Sequence, residues 1–161
     1  MHGSSLALQA LPGLPEVLPG CDLAGLLCEA AARAGLAFAG GDVLVVAQKA
    51  VSKAEGRYLD LADVEPSSQA HELATRVRKD PRFVEAVLRE STTVVRAAAN
   101  VLITRHRLGY VMANAGIDRS NLPPVAGVER VLLLPADPDA SARALRAAVA
   151  RATGAEIAVV I

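Results

Sequence analysis

The chain has 161 residues, enough for one domain with a real core, and its 17 basic residues balance 17 acidic ones. A formal net charge of zero gives no global field to draw it to nucleic acid or an anionic membrane. Just over half the residues are apolar, yet there are two Phe, two Tyr and no Trp, so Ala, Val, Leu and Ile must build the core.

Along the chain, Leu6 to Ala10 reads as a strand, stopped by Pro12-Gly13. Asp22 caps a helix with Leu23, Leu26, Leu27 and Ala30 at helical spacing and Gly35 near its end. Cys21 and Cys28, at either end of that stretch, match no zinc or redox spacing and no disulfide scaffold. The apolar run Val43 to Ala47 has the length of a buried strand, and Val51 to Leu59 reads as its extended continuation. Pro66-Ser67-Ser68 opens a second helix and Asp80-Pro81 a third. Arg76, Arg78 and Lys79, beside Glu72 and Asp80, read as a solvated face. Strands are expected at Thr93 to Ala97, Val101 to Arg105 and Tyr110 to Ala113, then a polar loop from Asn114 to Val128 and a strand at Val131 to Leu134. Asp137-Pro138-Asp139 caps a last helix, and Ile157 to Ile161 is a closing strand. This order predicts an α+β fold, a mixed sheet with flanking helices, with residues 1–161 forming part of a single domain. No signal peptide is legible and no run nears the ~20 apolar residues of a membrane span, so a reducing, cytoplasmic setting is expected.

Three polar stretches abut predicted strands, where sites tend to sit: Gly13 to Val17, Gln48 to Arg57 and Asn114 to Asn121. If the second is extended, Lys49, Val51, Lys53 and Glu55 share a face, and two ammonium groups on that face could grip a polyphosphate. The residues alone equally describe an edge strand guarded by lysines. In the third, Asp118 among Asn114, Ser120 and Asn121 suits a hard cation such as Mg2+ or Mn2+, or a turn whose side chains cap their own backbone. There is no Gly-x-x-x-x-Gly-Lys-Ser/Thr and no Gly-x-Gly-x-x-Gly after a strand. His2, His71 and His106 are isolated, and no Ser/His/Asp or Cys/His arrangement emerges.

Taken in order, GLPEVLPGCDLAGLL, GDVLVVAQKAVSKAEGR, KDPRFVEAVLRES, ANAGIDRSN and LLLPADPDASARALR resemble the F420-0:gamma-glutamyl ligases, over nearly the whole chain from Leu6. The resemblance implies a GTP- and metal-dependent ligase that joins L-glutamate to the deazaflavin precursor F420-0 through an acyl phosphate. By matching position, it assigns Leu14, Pro15, Glu16, Val17, Gln48, Lys49, Lys53 and Asn121 to the nucleotide and Asp118 to the metal. Gln48 and Lys49 depart from the small hydroxyl residues usual there. It also implies Mg2+ or Mn2+, GTP as co-substrate, a monovalent cation, and a homodimer. No catalytic acid or base is assigned. In the family an Asp-Thr pair follows the last strand, so a chain ending at Ile161 is expected to hold Asp118 without its principal partners and to be an N-terminal portion with impaired activity. The alternative is a non-catalytic nucleotide- or cofactor-binding module, or an incomplete fragment needing a partner chain.

Overall fold

The computed structural model describes residues 6–120 and 127–161. In chain order the elements are α1 (Leu23–Arg33), β1 (Val43–Val45), α2 (Gln48–Ala54), β2 (Tyr58–Asp60), α3 (Ser68–Val77), α4 (Pro81–Arg89), β3 (Ser91–Ala98), β4 (Val101–His106), β5 (Val111–Ala113), β6 (Arg130–Leu132), α5 (Pro138–Thr153) and β7 (Ala158–Val160). Strands pair both parallel and antiparallel, so the fold is α+β. The chain forms two compact units, one from the segments up to Ala54 and from Pro138 to Ile161, the other from Glu55 to Asp137.

In the first unit, α1 begins where the sequence says it should. The Asp22 carboxylate accepts the Gly25 N–H at 3.0 Å, satisfying one of the donors a helix start leaves orphaned. Its buried stripe, Leu23, Leu27, Ala30 and Ala31, repeats at helical spacing. Leu23 and Leu27 join Leu44, Val51, Leu145, Val149 and Ile157 in one apolar cluster. Strands β1 and β7 pair in parallel, with Val43 opposite Ala158 and Val45 opposite Val160. An apolar run predicts burial on both faces, but only Leu44 of β1 is buried. Val43 and Val45 are 57% and 68% exposed, because within this unit the helices cover one face only. Leu6 to Ala10 forms no strand and lies exposed.

The expectation for Val51 to Leu59 is also corrected. Gln48–Ala54 is a helix, and the extended segment starts only at Tyr58. The alternation of Lys49, Val51 and Lys53 imitates a strand. The residues that pack are instead Ala50, Val51 and Ala54, at helical spacing against the first cluster. Gly56 at φ 65° then turns the chain, a conformation that glycine adopts without strain.

The second unit holds two antiparallel sheets, β2 with β6 and β3-β4-β5 in that order, with α3 and α4 packed against them. Ser67 caps α3 through the Ala70 N–H, and Asp80 caps α4 through the Arg82 N–H with Pro81 in the first turn. Arg76 and Arg78 are exposed, as a solvated face requires. The core gathers Leu61, Val77, Val84, Val87, Leu102 and Val131, all essentially inaccessible.

Between β5 and β6 the chain changes sheets. Ala113 still pairs with Ile103, whereas Asp118 pairs with Leu132, exchanging bonds of 3.0 and 2.9 Å. Three successive left-handed residues make the corner: Asn114 (φ 51°), Ala115 (φ 53°) and Gly116 (φ 71°). For Ala such a conformation costs about 1–2 kcal/mol, less for Asn and nothing for Gly. The corner is held by burial. Ala115 is fully inaccessible, and a Cβ on Gly116 would stand 2.7 Å from the Met112 sulfur and 3.0 Å from Leu134.

Candidate functional site

The first polar stretch is draped along α1. The Arg33 guanidinium donates to the Gly13 carbonyl near one end, and the Gly20 N–H donates to the Ala54 carbonyl at the other, 2.8 Å away. Between these ties Pro15 and Glu16 stay exposed, while Leu14 and Val17 line a largely apolar pocket of about 740 Å³ with Leu23, Leu27, Ala47 and Ala50. Such a pocket, apolar with a few polar groups at its margin, is a common form of small-molecule site.

Helix α2 carries the second stretch, and Ala50 lines the pocket from it. Lys49 and Lys53 share a face after all, though as helical neighbours one turn apart, with Cβ atoms ~5–6 Å from each other. Gln48 turns its amide to the buried Ser52 hydroxyl at 2.7 Å. The first unit thus holds Leu14, Pro15, Glu16, Val17, Gln48, Lys49 and Lys53, of which Leu14 and Val17 line the pocket.

The remainder of that run does structural work the sequence did not disclose. The Glu55 carboxylate accepts the Ala136 N–H at 3.0 Å, and Arg57 Nε donates to the Leu134 carbonyl at 2.9 Å. Both residues fasten the segment after α2 to the segment before α5, within the second unit. The second guanidinium nitrogen of Arg57 reaches Glu90 Oε2 at 3.4 Å. That oxygen also accepts from Arg107 Nε and His106 Nε2, each at 3.3 Å. His106 is fully inaccessible, and its Nδ1 accepts the Leu108 N–H at 3.0 Å, so the proton sits on Nε2 and points to Glu90. Burial pushes the His106 pKa down, opposed by the Glu90 charge. The sequence places His106 at a strand end without a role. The apolar alternation of β4 puts it inward, and only its bulk and polarity there hinted at a partner.

Asp118 belongs to the second unit and is half-buried. Its Oδ1 accepts the Ser120 N–H at 2.7 Å and the Ser120 hydroxyl at 2.8 Å, the self-capping turn that was one of the two readings of these residues. Nearby in sequence, the Asn114 side-chain carbonyl oxygen is buried and accepts no hydrogen bond among the described residues. A carboxylate and a hydroxyl are hard oxygen donors, so the chemistry of Asp118 and Ser120 fits Mg2+ or Mn2+ in kind. Among the described residues no three His, Cys, Asp or Glu side chains converge. Asp118 would supply one carboxylate, leaving waters and phosphate oxygens for the other positions, an arrangement usual for Mg2+. Asn121 lies outside the described residues.

Residues 13–161 match the family model described as F420-0:Gamma-glutamyl ligase. The chain belongs to this family. It is 44% identical over 157 residues to the coenzyme F420:L-glutamate ligase of Methanopyrus kandleri, covering 98% of this chain and 59% of that protein. The proteins of the same name from Methanothermobacter thermautotrophicus and Archaeoglobus fulgidus are 39% and 41% identical, covering 97% and 92% of this chain and 60% and 56% of theirs. This F420-0:gamma-glutamyl ligase family member thus spans about three-fifths of the length of the curated relatives it matches. Among the described residues no helix is long and apolar enough to cross a membrane.

Proposed function

We propose that this chain takes part in F420 biosynthesis as a ligase joining L-glutamate to F420-0, with GTP as co-substrate and Mg2+ or Mn2+ as the cofactor. The observation carrying the reading is the lysine pair, Lys49 and Lys53, on the helix whose Ala50 lines the pocket shared by Leu14 and Val17. It is read together with membership of the family.

In the proposed reaction a carboxylate oxygen of F420-0 attacks the γ-phosphorus of GTP, and the bond to the GDP oxygen breaks. The glutamate amine then attacks the acyl carbon, the amide C–N bond forms, phosphate leaves and the amine loses a proton. Phosphoryl transfer asks little covalent chemistry of a protein and much positioning and charge neutralisation. In the first unit Lys49 and Lys53 hold phosphate oxygens, Leu14 and Val17 give the nucleotide an apolar wall, and Pro15, Glu16 and Gln48 add contacts; the family resemblance assigns Asn121 to the nucleotide as well. Asp118 holds the divalent ion, which would neutralise phosphate charge. A monovalent cation beside the phosphates, a homodimer and a cytoplasmic setting belong to the same reading.

A second reading is a nucleotide-binding module without catalysis. In its favour, no acidic cluster accompanies Asp118 among the described residues. The deciding experiment incubates the chain with F420-0, L-glutamate, GTP and Mn2+ and weighs the products by mass spectrometry. Gain of a glutamyl group supports the ligase. Folded protein that binds Mn2+-GTP yet makes no product supports the module, and absence of both binding and product overturns both readings.

A further inference from the structure

We infer that Asn114 is a positioning residue for Asp118, acting through the left-handed corner that it opens. The inference rests on the proposed role of Asp118 and deepens it.

Asp118 is fixed from its C-terminal side by bonds already described. Ser120 donates twice to its carboxylate, and its backbone exchanges two hydrogen bonds with Leu132. Beyond it, Arg119 reaches Glu129 at 3.4 Å, and Glu129 also meets Arg82 at the start of α4. On the N-terminal side, only three residues separate the end of β5 from Ile117, and they must carry the chain from one sheet to the other. They do so in the left-handed region throughout, closed by the Ile117 N–H donating to the Asn114 carbonyl at 3.0 Å. A regular extended path would keep the chain beside β4 and deny Asp118 its pairing with Leu132.

Asn suits the first position of such a corner, since it tolerates positive φ better than any other residue but glycine. Its side chain gains nothing visible in return, because the amide oxygen is buried without a hydrogen-bond partner among the described residues. A corner that burial holds against local preference, leading straight to a proposed ligand, matches the way strained backbone gathers at functional sites. The backbone conformation, and not the amide group, is therefore the property that Asn114 supplies to Asp118.

The test uses Asn114→Gly, which keeps the conformation and removes the side chain, and Asn114→Ala, which opposes the conformation. The probe is Mn2+ alone, followed by electron paramagnetic resonance on folded protein. A second readout, free of metal, is hydrogen exchange at the Ser120 amide, whose bond to Asp118 reports the carboxylate's place. Asn114→Ala is expected to weaken Mn2+ binding about three- to tenfold and to speed Ser120 exchange by a similar factor, by analogy with the tenfold that 1.4 kcal/mol represents. Asn114→Gly is expected to stay within twofold of wild type in both. Asn114→Ser, a smaller departure, replaces Asn114→Ala if the latter does not fold. Wild-type affinity and exchange in the Ala or Ser variant overturn the positioning role, as does a Gly variant no better than Ala. Asp118→Asn binding Mn2+ like wild type, or no Mn2+ binding at all, instead sinks the metal role of Asp118, while the amide readout still decides the corner.

Discussion

Glu90 meets three side chains within the second unit, and Glu90→Gln tests how the unit is held. The substitution keeps shape and one carbonyl acceptor but removes the charge facing Arg57, Arg107 and His106. A charge-assisted hydrogen bond contributes ~1.5–3 kcal/mol against ~0.5–1.5 for a neutral one, so each donor loses about 1 kcal/mol. The contacts are long, at 3.3–3.4 Å, and the Arg57 and Arg107 side chains are 25% and 38% exposed, so solvent reduces their share by half or more. The expected cost is about 2 kcal/mol at pH 7.5, or a fall of ~4–8 °C in Tm.

Acid should enlarge this cost. His106 has its folded pKa below its unfolded value, so its contribution is complete above the unfolded pKa near 6.5 and is lost as pH falls through the folded one. Glu90 opposes that depression, and without it the folded pKa drops further, widening the acid loss. Urea unfolding, followed by exchange of the amides of residues 91–106, should therefore give a larger penalty at pH 5.5 than at 7.5. An equal penalty at both values would refute the His106 coupling, and a variant as stable as wild type would refute the whole account.

Other outcomes follow from single contacts. Lys53→Ala should weaken GTP binding at least tenfold by calorimetry while leaving guanosine binding nearly unchanged, and equal losses would mean the lysine does not hold phosphate. Val149→Ala, at a fully inaccessible position of α5, should cost about 2 kcal/mol in urea unfolding as lost burial plus cavity. Asp22→Ala should remove the α1 cap at about 1 kcal/mol, with Asp22→Ser restoring most of it. Gly116→Ala should cost roughly 2–4 kcal/mol by thermal melting, since it adds both the left-handed penalty and contact with Met112 and Leu134.

The helices with cap chemistry, α1, α3 and α4, could be read directly because Asp22, Ser67 and Asp80 satisfy backbone donors locally, and local signals survive in a sequence. Helix α2 could not. Seven residues hold too few turns to show a helical period, and the alternation of Lys49, Val51 and Lys53 gave the stronger pattern. At Asp118 the residue types named both a cation ligand and a self-capped turn, and the turn is visible in the Ser120 bonds. The left-handed corner before it was hidden for a different reason. Nothing in Asn-Ala-Gly demands three positive φ values until two sheets must be joined there. Glu90, Arg57 and His106 come from separate elements, so their meeting is a property of the tertiary fold alone.

The pairing of β1 with β7 has a consequence for how this protein is made. Val43 and Ala158 meet across 115 residues of sequence, while the second unit is one continuous stretch. On a ribosome all the partners within Glu55–Asp137 emerge together, but α1, β1 and α2 must wait for α5 and β7 to be synthesised. During that interval the apolar side chains of Leu23, Leu27 and Leu44 lack their eventual partners, and the long loop must close before any contact rewards it. The first unit is therefore where slow synthesis or a chaperone should matter most to yield.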